Sequence, residues 1–172
     1  MLVTTVITVY GLETFFEKKN PNEIKAKQMG VSYDTRTKME VLDELRDSGV
    51  EVFPNIIPSF FIASNGLTAK KGRIYPLGTI SNSTTILDND SGYYPIIETD
   101  EHGFNNPKGL YKKNKVDIVL TGDSFTEGYS VHSNESISAV LRKLDFNVIN
   151  IGKGGNGPLA ELAALKEYAE PL

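Results

Sequence analysis

The residues able to do chemistry in this sequence concentrate in two short loops. The first reads Thr121-Gly122-Asp123-Ser124-Phe125-Thr126-Glu127-Gly128 and follows the apolar stretch Val116–Leu120. Gly122 permits a sharp turn directly off a strand, which leaves Ser124 at the strand tip with its backbone amide free to donate. A hydroxyl and an amide on one residue can serve as nucleophile and as part of an oxyanion hole. The second loop reads Asn150-Ile151-Gly152-Lys153-Gly154-Gly155-Asn156-Gly157-Pro158 and follows a second apolar stretch, Asn147–Ile151. Its Gly152, Gly154 and Gly157 match G-x-G-x-x-G between a strand and a helix, the pattern of a dinucleotide-binding turn. Pro158 directly after the third glycine counts against that reading, as does the loop's place on the second strand rather than the first. The acidic residue that the pattern asks for, about 20 positions on, would fall beyond Leu172.

Loops of this kind need strands and helices to aim them. From Val116 onward the sequence alternates strand, loop, helix, strand, loop, helix. Asn134 is expected to cap a helix bearing Ile137, Val140, Leu141 and Leu144 on one apolar face. Pro158 is expected to open an Ala- and Leu-rich helix that runs to about Tyr168. This alternation predicts parallel strands with crossover helices, an α/β fold that begins a doubly wound sheet. In such sheets ligands bind at the carboxyl ends of the strands, where both loops lie. A Ser- and Thr-rich loop at such a place also suits phosphate.

Upstream, residues 20–33 read as a polar lead-in and Thr37 to Ser48 as a helix ending at Gly49. Between Val50 and Asn106 come short β-type runs at Glu51–Phe53, Ser59–Ala63, Arg73–Pro76, Thr84–Leu87 and Tyr93–Glu98, broken by turn residues. The domain plan is therefore an apolar segment over 1–19, a helix with a small β-rich lobe over 20–112, and the α/β part over 113–172.

The stretch around Ser124 resembles the first sequence block of the SGNH, or GDSL, hydrolase superfamily, with Phe125 in place of the Leu of the older family name. The resemblance covers about residues 93–172 and implies a flavodoxin-like fold. It makes Ser124 the nucleophile of a serine esterase, with its amide in the oxyanion hole and Asp123 bracing the loop. The glycine loop resembles the family's second block, and the resemblance places Gly155 as a further oxyanion amide. Thr126 stands where α/β-hydrolases have the second Gly of Gly-x-Ser-x-Gly, which favours this family over that one. The family's Gly-x-Asn-Asp and Asp-x-x-His blocks do not occur, so the sequence carries half a site and, read as a fragment, is expected to be inactive alone. O-acetyl groups on carbohydrate are the implied substrate. A non-catalytic binding module on the same fold is the remaining alternative.

Only His102 and His132 are present. His102, in a turn-like stretch before Asn105, reads as structural, and His132 as a solvated loop residue. Asp88, Asp90, Asp100 and Glu101 are explained by turn chemistry rather than by a metal. No cofactor is implied.

Bulk composition narrows the partners. With 18 Lys and Arg against 22 Asp and Glu the net charge is −4. No basic run is dense enough to track a phosphate backbone, which excludes nucleic acid as the expected partner. Zero Cys excludes disulfides and thiol catalysis. Leu2 to Phe16 is apolar but shorter than the ~20 residues a spanning helix needs. It reads either as the tail of a membrane anchor, which would place the chain outside the cytoplasm, or as a strand or helix packed on a core. Lys18 and Lys19 after the run argue for the cytoplasmic side.

Overall fold

Thr37 and Glu40 show how local chemistry sets the first well-defined element. The Thr37 hydroxyl accepts the Glu40 amide at 3.2 Å, and the Glu40 carboxylate accepts the Thr37 amide at 2.6 Å. This reciprocal cap starts the helix Lys38–Asp47. The fold is that of a computed structural model, which describes residues 21–112 and 115–172. The apolar opening segment and residues 113 and 114 lie outside the described residues.

In chain order the helices are α1 (Pro21–Met29), α2 (Lys38–Asp47), α3 (Pro58–Ala63), α4 (Ser124–Glu127), α5 (Ile137–Lys143) and α6 (Pro158–Ala164). The strands are β1 (Val52–Pro54), β2 (Leu67–Ala69), β3 (Gly72–Ile74), β4 (Thr84–Ile86), β5 (Ile96–Glu98), β6 (Ile118–Leu120) and β7 (Val148–Asn150). They form a mixed three-stranded sheet in the order β1-β4-β5, a hairpin β2-β3, and a parallel pair β6-β7. β1 runs parallel to β4 with Val52 opposite Thr84, and β5 returns antiparallel with Ile96 opposite Ile86. The chain is thus an α/β protein in which a parallel pair follows a small mixed sheet.

Several expectations are corrected. Residues 21–29 are helical rather than an irregular lead-in. Pro21 opens the helix where a missing amide donor costs nothing, and Gly30, at φ 69°, closes it. Ser59–Ala63 is helical rather than extended, because Pro58 sits at the first helical position and a short continuous apolar run carries no period of its own. Asn134 lies in a 3-10 turn, Ser133–Glu135, and the cap of α5 is Ser136, whose hydroxyl accepts the Ala139 amide at 3.2 Å.

Helix α5 also presents an unexpected face. Its inward side carries the fully buried Ser138 and the half-buried Arg142, while Leu144 is 63% exposed and Ile137 and Val140 also face water. Helix α6 behaves alike: Ala160 and Ala164 are buried and Leu159 is 84% exposed. A single π-helical turn, Leu165–Ala169, ends the segment expected to be α-helical to Tyr168.

Among the described residues apolar packing occurs in three clusters. Phe104, Leu110, Ile149, Ile151 and Ala164 join the segment before β6 to β7 and α6. Val41, Leu42, Val52 and Ile86 seat α2 on the mixed sheet. Leu87, Ile97 and Tyr129 connect that sheet to the end of the Ser124 loop.

The parallel pair is finished differently at its two edges. Along β7 three of the outward backbone groups are taken by side chains: Asn106 accepts the Asn150 amide at 2.9 Å and donates to the Asn150 carbonyl at 2.7 Å. Arg142 donates to the Val148 carbonyl at 3.0 Å. Along β6 the alternation of parallel pairing turns Val119 away from β7, and its backbone groups meet no partner among the described residues. Asn106 also donates to the Asp100 carboxylate at 2.7 Å and accepts from the Arg142 guanidinium. Asn106→Ala should therefore leave several buried polar groups unpaired and lower stability by about 3–4 kcal/mol in urea unfolding. A loss below about 1 kcal/mol would show that the amide does not close this edge.

Candidate functional site

The Ser124 loop is built by its neighbours in sequence. β6 ends at Leu120, and at Gly122 the backbone takes φ 152°, where a Cβ would lie 2.3 Å from the Thr126 hydroxyl. Only glycine allows Thr126 that close. Asp123 then caps α4, its carboxylate accepting the Phe125 amide at 3.0 Å. One helical turn follows and stops at Gly128, in the left-handed region. Ser124 is thereby the first residue of a single turn at the strand tip. Its carbonyl accepts the Gly128 and Tyr129 amides at 3.1 and 3.0 Å. Its hydroxyl and its own amide make no hydrogen bond to any described residue. Ser124 is half-buried and lines a cavity of about 340 Å³ with Ser91, Tyr129, Ser130, Glu135 and Ser136.

The glycine loop lies at the same end of the same sheet. β6 and β7 pair in parallel with Leu120 opposite Asn150. The pairing continues into the loops: the Ile151 amide donates to the Leu120 carbonyl at 2.8 Å, and Lys153 to Gly122 at 3.0 Å. The Asn150 side chain stitches them further, donating to the Thr126 carbonyl at 2.6 Å and accepting the Gly152 amide at 2.9 Å. Gly155 takes φ 76° and lines a separate cavity of about 550 Å³ with Ser59, Ile62, Ala63, Gly157 and Leu159. The structure thus brings the two loops together, with Ser124 and Gly155 lining different cavities.

Beneath both loops sits a buried ion pair that inspection of the sequence did not single out. Glu127 is completely buried and Lys153 is 1% exposed. Their side chains are directly paired. The other Glu127 oxygen accepts the Gly154 amide at 2.6 Å, and Lys153 also donates to the Asn55 side chain at 2.6 Å. Burial pushes the Lys153 ammonium below the usual lysine range, and the Glu127 carboxylate opposes that shift. Lys153 is held by these two partners rather than by Ser124, so it does not stand in as the serine's base. Asn105, buried beside the pair, donates to the Glu127 carbonyl at 2.8 Å.

The same pair bears on the dinucleotide pattern. A Cβ at Gly152 would lie 2.5 Å from Thr126, and one at Gly154 would lie 3.1 Å from the Glu127 carboxylate. These glycines admit protein side chains rather than open space for a pyrophosphate. The carboxylate on the Gly154 amide would also repel a phosphate.

The histidines and the acidic turn residues lie elsewhere. His102 packs edge-on to Tyr111 at 4.6 Å between ring centroids, and exposed His132 stacks on Tyr93 at 4.2 Å. Neither is bonded to Ser124 or lines its cavity. Asp100 is buried in its turn, accepting the His102 and Phe104 amides at 2.8 and 2.9 Å, and burial raises its pKa against those bonds. Asp88 pairs with Lys38 and Tyr129. Among the described residues no group of His, Cys, Asp and Glu could hold a metal, and no helix is long and apolar enough to cross a membrane.

Lys153→Met should leave the Glu127 charge buried without its partner and cost about 3–5 kcal/mol in denaturant unfolding. A loss within about 1 kcal/mol would mean that water reaches the carboxylate. In comparisons with protein-family models, with curated proteins and with solved structures, nothing matches this chain.

Proposed function

We propose that the protein is an SGNH-type serine esterase that hydrolyses or transfers O-acyl groups, acetyl on carbohydrate above all. The observation that carries this reading is the setting of Ser124. Its hydroxyl and amide, without a partner among the described residues, stand at the carboxyl end of β6, beside a glycine loop on the adjacent parallel strand. Ligands of open α/β sheets bind at this end of the strands. In the proposed reaction the Ser124 oxygen attacks the ester carbonyl while a histidine base takes its proton. The Ser124 amide receives the oxyanion, joined by the Gly155 amide on the strength of the family resemblance although Gly155 borders the neighbouring cavity, the alcohol leaves with the proton, and water then releases the acid from the acyl-enzyme. His102 and His132 are not bonded to Ser124, so the reading needs a histidine base, its acid and an oxyanion Asn that the described residues do not place beside Ser124. It also assigns further parallel strands to the open side of β6, as a flavodoxin-like sheet requires.

The full-length protein should hydrolyse a small aryl acetate, and Ser124→Ala should lower kcat by about 10³-fold or more. Equal turnover by the variant would sink the assignment.

A further inference from the structure

The amide that the esterase reading needs from the glycine loop belongs to Gly155, and the strand ladder stops short of it. The last backbone bond between the two loops joins Lys153 to Gly122. From there onward the side chain of Glu127 takes over. Its carboxylate accepts the Gly154 amide at 2.6 Å, which fixes the peptide plane one residue before Gly155. A Cβ on Gly154 would lie 3.1 Å from that carboxylate and 3.3 Å from the Tyr129 ring, so the approach fills the available space.

Glu127 is itself held firmly. It is the last residue of α4, whose first residue is Ser124, and its amide donates to the Asp123 carbonyl at 3.0 Å. Asn105 donates to its carbonyl, and Lys153 clamps its second oxygen while reaching Asn55 just beyond β1. The nucleophile's helix, the glycine loop and the mixed sheet therefore meet at one carboxylate.

We infer that Glu127, clamped by Lys153, is a positioning residue that sets the placement of the Gly155 amide relative to Ser124. This rests on the esterase reading. A fully buried ion pair commonly contributes no more stability than apolar residues of like volume, whereas charge-assisted bonds hold geometry tightly. Stability and positioning should therefore separate on substitution. In the double variant Glu127→Gln/Lys153→Met both charges are removed and the volume is nearly kept. In Glu127→Asp the charge is kept, but the shorter side chain cannot span both Gly154 and Lys153.

Full-length wild type and Ser124→Ala are compared first on an aryl acetate. Equal turnover there removes the esterase reading, and the inference with it. With that reading intact, the folded double variant and Glu127→Asp should lower kcat ten- to a hundredfold with KM within twofold, as expected of roughly ångström misplacement. Hydrogen exchange at the Gly154 amide, read by NMR, should accelerate in both, independently of any substrate. If the double variant does not fold, Glu127→Asp decides. A folded variant with wild-type kcat, or with the Gly154 amide still protected, would overturn the proposal.

Discussion

The contact between Glu127 and Lys153 is the constraint on which the rest of the arrangement turns. Moving either charge from water into a protein interior costs several kcal/mol, and mutual attraction offsets this only where the remaining donors and acceptors are also satisfied. Here one carboxylate oxygen takes the ammonium and the other takes the Gly154 amide, while a second of the ammonium's three donors goes to Asn55. These groups come from three segments of the chain. The pair can be satisfied only when β1, the turn after β6 and the loop after β7 are all in place, which makes it a test of the whole fold rather than of one element.

Around that pair, asparagine does the work that backbone does elsewhere. Its side-chain amide offers a carbonyl and an NH₂ in the geometry of a peptide, so it can pair with a strand edge or a turn as another chain segment would. Asn106 lies along β7 as a surrogate strand, Asn150 bridges the two loops, and Asn105 closes the carbonyl at the end of α4. Arg142 completes the set from α5. Because Ser138 and Arg142 must face this network, the polar side of α5 turns inward and its Ile137 and Val140 face outward.

That inversion explains where reading the sequence succeeded and where it did not. Elements with a local signal were legible: the helix over Thr37 to Ser48, the two apolar strands, and the glycine turn into Ser124. Each depends on residues within a few positions of one another. The apolar spacing of Ile137, Val140, Leu141 and Leu144 was equally clear, yet it does not mark the buried face, because a long-range demand from Asn106 and Val148 decides the helix's rotation. Ser59–Ala63 failed for a different reason, since a run of consecutive apolar residues fits strand and helix alike. Glu127 and Lys153 lie inside the two loops that carry the chemistry, but a charged side chain in a loop is ordinarily solvated. Nothing local distinguishes one that is buried against a partner 26 positions away.

The distribution of rigidity follows from the same facts. Polar groups that stabilise developing charge are effective when they are already oriented before the charge appears, which requires a supporting shell that does not relax. Ser124 occupies one turn of helix held at Asp123, at Gly128 and from below by the ion pair, while its hydroxyl and amide remain unengaged. The tight bonds lie under the loop and the free groups lie on top. An ordinary apolar core beneath the same loop would exclude water equally well but would leave its backbone amides without directional partners. The buried charges supply direction, and their demand for complete satisfaction transmits the position of the mixed sheet, through Asn55, to the glycine loop beside the serine.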